Sequence, residues 1–189
     1  MSDFSYKQMH QAVWHPAGTF FSRRAPHQIR AWLTDRNSLT QQVICHCQGQ
    51  FSVNVLRQYW QRPLINEASK LGINRNNIAF IREVHLNCNN QPWVFARTVI
   101  PINTLQGELQ TLTQLGTQPL GAVLFSNHLI KRSPLEIACF HPHTTMYNEA
   151  VQQTSENGSI WGRRSLFLLG NSPLLVNELF LNHIPAKQP

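Results

Sequence analysis

Residues 161–181 read WGRRSLFLLG, Asn171-Ser172, PLLVNELFL: two extended apolar runs joined by a turn signature. A hairpin of this kind limits what the rest of the chain can build. Strand side chains alternate between faces. In the second run Leu174, Val176, Glu178 and Phe180 share one face, and Leu175, Asn177, Leu179 and Leu181 share the other. Both faces are mostly apolar, so the hairpin belongs in a sheet that is covered on both sides. Glu178 is the exception. A carboxylate buried there without a partner costs on the order of several kcal/mol, so a partner or a ligand must compensate it.

A second hairpin is legible at IAFIREVHLNC (78–88) and PWVFARTVIP (92–101), joined by Asn89-Asn90-Gln91. Here Arg82 shares an apolar face with Phe80, Val84 and Leu86, opposite Ile81, Glu83 and His85. Two opposite charges on apolar strand faces fit either a buried salt bridge or the two poles of a ligand cavity, and parity leaves both readings open. FSVNVLRQYW (51–60) and PLEIACF (134–140) are further strands. Helical spacing runs through Ile29, Trp32 and Leu33, breaks at Asn37-Ser38 and resumes at Leu39. Residues 62–72 form a linking stretch with room for a helical turn ending at Gly72. LQGELQTLTQLG (105–116) reads as a helix closed by Gly116, and PLGAVLF (119–125) as a short helical turn. Residues 141–159 are polar and irregular, an expected exposed loop. Helices first and adjacent strands later predict an α+β fold with a single antiparallel sheet.

A chain of 189 residues supports one good-sized core. With 42% hydrophobic and 13% charged residues it is globular. No apolar run approaches the roughly 20 residues of a membrane-spanning helix, and MSDFSYKQMHQAVWH lacks the features of a leader; a cytoplasmic protein is expected. The formal charge of +7 is spread over separated basic pairs at 23–24, 131–132 and 163–164. That spacing suits attraction of a small polyanionic metabolite and supplies no signature for nucleic acid. Cys45, His46 and Cys47, with Cys88 and Cys139, fit no structural zinc spacing. Cys45 and Cys47, placed on one strand face, are read as reduced packing thiols; neither metal nor cofactor is expected.

FIREVHL, PWVFARTVIP, LGTQPLGAVLF, WGRRS and PLLVNELFL resemble, in order and spacing, the chorismate lyase family, over most of residues 26–183. Those enzymes convert chorismate to 4-hydroxybenzoate and pyruvate for ubiquinone synthesis. The resemblance implies one domain over 1–189, with 1–25 as an N-terminal extension and with helical flaps that seal an internal cavity. It implies Arg82 as holder of the ring carboxylate and Glu178 as partner of the 4-hydroxyl. Leu39 and Leu120 would contribute backbone N–H groups. Ala96 stands where a relative has Gly, on what would be a moving flap. Arg97, Arg163 and Arg164 are candidates for a second cation, at most one of the last two facing the cavity; His85 is structural. Neither metal nor redox cofactor is implied, and a monomer is expected. The alternative is a metabolite-sensing effector domain, a fold shared with some bacterial transcription regulators; these usually carry a DNA-binding helix-turn-helix, for which 25 residues are too few.

Overall fold

The computed structural model describes residues 11–126, 130–152, 154 and 156–187. Eight strands form one antiparallel sheet among them: β1 (His15–Pro16), β2 (Phe51–Gln61), β3 (Ala79–Cys88), β4 (Gln91–Pro101), β5 (Ile130–Arg132), β6 (Glu136–Phe140), β7 (Ile160–Leu169) and β8 (Ser172–Phe180). Their order across the sheet is β1-β6-β7-β8-β4-β3-β2, and β5 continues the β6 edge of β7 by pairing Arg132 with Phe167. The helices are α1 (His27–Thr34), α2 (Leu39–His46), α3 (Ile65–Leu71), α4 (Leu120–Ser126) and α5 (Thr145–Ala150). The α+β fold expected from the sequence is the fold observed.

Local chemistry explains most boundaries. Asn89 and Asn90 hold φ of 50° and 63° between β3 and β4, the left-handed turn that Asn tolerates better than most residues. Leu169 pairs with Ser172, so the β7–β8 turn is Gly170-Asn171, one residue earlier than the sequence suggested. Gly162 of WGRRS is required by close packing: a Cβ there would lie 2.8 Å from the Glu178 carbonyl oxygen. Residues 107–114 form a 3-10 helix rather than an α-helix, and Gly116 then turns the chain at φ 53°.

One sequence expectation is corrected. Residues 141–159 are not simply an exposed loop, because α5 buries Met146, Tyr147 and Ala150 against Phe95, Phe140 and Leu179. The described part of the N-terminal extension also joins the domain: β1 pairs with β6, and Trp14 packs edge-on against Phe140.

Each face of the sheet carries two apolar clusters with a polar band between them. On one face, α1 and α2 cover Val84, Leu86, Val94 and Phe180, while the 3-10 helix and α4 cover Phe80, Ile100, Phe167 and Val176. On the other, α5 covers Phe95 and Leu179, and Leu71 of α3 packs on Ile81, Val99 and Leu175. No helix among the described residues is long and apolar enough to cross a membrane.

The cysteines depart from expectation. Cys45 and Cys47 lie at the end of α2, not on a strand, and Cys47 is bonded to Cys88 at the end of β3. Helix geometry carries the two residues in different directions, leaving Cys45 exposed. Closing a loop with a sequence separation of 41 removes chain entropy from the unfolded state worth about 4 kcal/mol. Reduction should therefore lower the melting temperature by on the order of 10 °C, and Cys47→Ser should melt like the reduced protein. Identical melting with and without reductant would show that the bond contributes nothing. Disulfides are rare in reducing compartments, so the redox history of a preparation should set its stability.

Candidate active site

The polar band on the helix-covered face that bears α1, α2 and α4 is a cavity, partly open to solvent. Two cross-strand rows make its floor. Val84, Ala96, Glu178 and Arg163 stand side by side on β3, β4, β8 and β7; Arg82, Thr98, Val176 and Ser165 form the adjacent row on that face. Residues paired in register project from the same face, so Arg82 and Glu178 face the same space. They are two strands and two residues apart, roughly 12 Å between Cα atoms at ordinary sheet spacings. No ion pair joins them among the described residues.

Two helix starts roof the cavity. Leu39 and Thr40 open α2, and Leu120 and Gly121 open α4; all four line it. Gly121 lets them meet, since a Cβ there would press against Thr40 Oγ1 at 3.0 Å. The first N–H groups of a helix have no acceptor within the helix, so Leu39 and Leu120 bring backbone donors to the roof.

Arg82 is only 3% exposed. Its Nη2 donates to the carbonyls of Gly116 (2.8 Å) and Gln118 (3.2 Å), which fixes the guanidinium beneath the segment leading into α4. Its buried Nε has no hydrogen-bond partner among the described residues. Desolvation lowers its pKa from the usual arginine value, though a guanidinium stays charged. An oxyanion in the cavity would satisfy both the charge and the orphaned donor.

Glu178 is compensated from the other side. Arg163 Nε donates to its Oε2 at 2.6 Å, and Arg163 Nη1 donates to the carbonyls of Trp32 (2.7 Å) and Asp35 (2.5 Å) at the end of α1. The guanidinium thus joins the carboxylate to the carbonyl end of a helix, where a cation is favoured. Arg163 is buried, whereas the Glu178 side chain keeps 15% exposure toward the cavity.

Two sequence readings change. Ala96 is not on a flap; it lies within β4, in the cavity floor. Arg97 does not approach the cavity. A bulge that passes over Trp93 shifts the β3–β4 register, so Arg97 pairs with Glu83 and faces away. Arg164 also faces away, donating to Glu136 at 2.6 Å. These belong to a charged row behind the cavity: Arg57, Glu83, Arg97, Asn177, Arg164 and Glu136 run across six strands. Glu67 of α3 grips Arg97 Nε (2.8 Å) and Nη2 (3.1 Å), and Glu83 accepts from Arg97 Nη1 at 2.5 Å. Burial disfavours the Arg97 charge, but Glu67, with Tyr59 and Glu83, more than offsets this and pushes its pKa well above the usual value. His85 is structural, donating to the Ala150 carbonyl at 3.0 Å. Arg132 lines the cavity. The sequence reading took it only as half of a scattered basic pair; its place on a three-residue strand carries too short an alternation to show which way it faces.

Together these residues describe an α+β domain in which two helix starts roof a cavity whose lining includes a buried cation and a carboxylate. The family model for chorismate lyase matches residues 8–188. A protein of Nitrosomonas europaea named "Probable chorismate pyruvate-lyase" is 37% identical over 170 residues, 89% of this chain and 93% of that protein. One of the same name from Aromatoleum aromaticum is 40% identical over 161 residues, covering 84% and 86%. The chain belongs to the chorismate lyase family. Solved structures extend the fold further. The C-terminal domain of the histidine utilization repressor from Pseudomonas syringae aligns at TM-score 0.54 and 10% identity over 74% of this chain and 96% of that one. A GntR-family regulator from Bacillus cereus aligns at 0.53 and 10%, over 75% and 98%.

Proposed function

We propose that the chain is a lyase that splits chorismate into 4-hydroxybenzoate and pyruvate, supplying the ring of ubiquinone, and that it works as a monomer in the cytoplasm. The observation that carries this reading is the placing of Arg82 and Glu178 on one face of the sheet, in one cavity, with no bond between them. Arg82 takes the ring carboxylate, for which its planar fork is suited, and the N–H groups of Leu39 and Leu120 add donors. Glu178 meets the 4-hydroxyl. In the reaction C4 loses its proton, the C–H electron pair completes the aromatic ring, and the C3–O bond breaks with its pair leaving on enolpyruvate. Enolpyruvate regains a proton and becomes pyruvate, so the atoms balance without a redox partner. Aromatisation supplies the driving force; the protein contributes orientation, exclusion of water and charge stabilisation.

Incubation of purified protein with chorismate tests this directly. Pyruvate and 4-hydroxybenzoate should form in equal amounts, and a folded protein that releases neither would refute the reading. Because the product presents the same carboxylate and hydroxyl, flap opening should limit turnover. A single turnover should outrun the steady state, with 4-hydroxybenzoate inhibiting; equal rates would remove the flaps from the kinetic account.

A further inference from the structure

Chorismate bears a second carboxylate, on the enolpyruvyl group at C3, beside the C4 hydroxyl. Among the described residues the charged side chains that line the cavity are Arg82, Arg132 and Glu178. With Arg82 on the ring carboxylate, a dianion still needs a cation near Glu178. Arg163 is close, but it is 1% exposed, lies behind Glu178 and is engaged with that carboxylate and two carbonyls.

Resting on the lyase reading above, we propose that Arg132 binds the enolpyruvyl carboxylate and stabilises the departing enolpyruvate. Its guanidinium is held in place: Nε donates to Ser165 Oγ at 2.9 Å, Nη1 donates to the Arg36 carbonyl at 2.7 Å, and the group lies over the Phe167 ring at 5.3 Å. Ser165 stands in the row of Arg82, three strands away on β7. The two cations therefore approach the cavity from opposite sides, with Glu178 between them in the neighbouring row. Arg132 and Glu178 line the same cavity; burial lowers the Arg132 pKa, and the Glu178 carboxylate offsets only part of this. A substrate with its C1 carboxylate on Arg82 and its C4 hydroxyl on Glu178 turns the adjacent C3 ether toward Arg132. When the C3–O bond breaks, the negative charge that develops on the leaving group forms next to this cation.

The product lacks the second carboxylate, and this separates the role from a structural one. Arg132→Gln should lower kcat/KM for chorismate by on the order of 100-fold, as expected when one partner of a charge contact to the substrate is lost. Its affinity for 4-hydroxybenzoate, measured by calorimetry, should not change. Arg132→Lys keeps the charge and should recover part of the loss; it also serves if the Gln variant fails to fold. Equal losses for chorismate and 4-hydroxybenzoate would mean that Arg132 merely braces the loop at Arg36, and unchanged kcat/KM would remove it from the site. Either result overturns the assignment while leaving the lyase reading intact. A wild-type protein without turnover would instead defeat the lyase reading, and the assignment with it.

Discussion

Arg82→Ala should weaken 4-hydroxybenzoate binding by roughly 2–5 kcal/mol, the usual cost of deleting one side of a buried charged contact. Plain benzoate should lose as much, because the carboxylate is common to both. Glu178→Gln should behave differently. It preserves shape, so benzoate affinity should hold, yet turnover should fall because the ionisable group at the hydroxyl end is gone. It should also cost stability, since Arg163 is then buried beside a neutral amide. In the Arg82→Ala, Glu178→Gln double variant the stability changes should add, because the two residues are well separated and share no partner. Melting temperature, benzoate affinity and turnover for all three proteins provide the check. Strong rescue of stability in the double variant, with benzoate affinity untouched by Arg82→Ala, would show that the two form a structural pair.

The second large effect lies behind the cavity. Glu67→Ala should destabilise the fold by about 3 kcal/mol, because it leaves Nε and Nη2 of the buried Arg97 guanidinium unpaired, with Glu83 as the remaining counter-charge. The same carboxylate accepts the Leu64 N–H at 2.9 Å, which caps α3, and the Asn177 amide at 3.1 Å. Glu67→Leu combined with Arg97→Met removes both charges and should cost less than the sum of the single changes. Urea unfolding of the three variants measures the coupling. Additive losses would mean that the contact observed between them carries no coupling energy.

What the sequence disclosed and withheld follows the range of each interaction. Strand alternation and turn residues are local, so the two hairpins, the faces of Arg82 and Glu178, and the α1–α2 break at Asn37-Ser38 were readable. The facing of Arg97 was not, because it depends on the phase between two strands. An unbroken ladder from Asn89-Asn90 would set Arg97 opposite Arg82; the bulge at Trp93 moves it opposite Glu83. Arg163 as the partner of Glu178 and Cys47 as the partner of Cys88 are meetings between distant segments. Nothing in their own neighbourhoods announces them. In 141–159, Met146, Tyr147 and Ala150 show helical spacing, but polar neighbours masked a helix of only six residues.

The charged row behind the cavity also acts as a ruler. Apolar alternation forbids a slip of one residue between β3 and β4, since that would turn the core outward. It does not forbid a slip of two, which keeps every side chain on its proper face. Such a slip would set Arg97 opposite Ile81 or His85 instead of Glu83 and leave a buried guanidinium without its cross-strand carboxylate. The row thus distinguishes the native alignment from its nearest competitor, where hydrophobicity alone is blind. Its effect reaches the far side of the same strands: moving β4 and β8 by two residues would change the offset between Arg82 and Glu178 by about 7 Å, more than the length of a benzene ring. The reach of the cavity from one pole to the other is calibrated by residues that never touch the ligand.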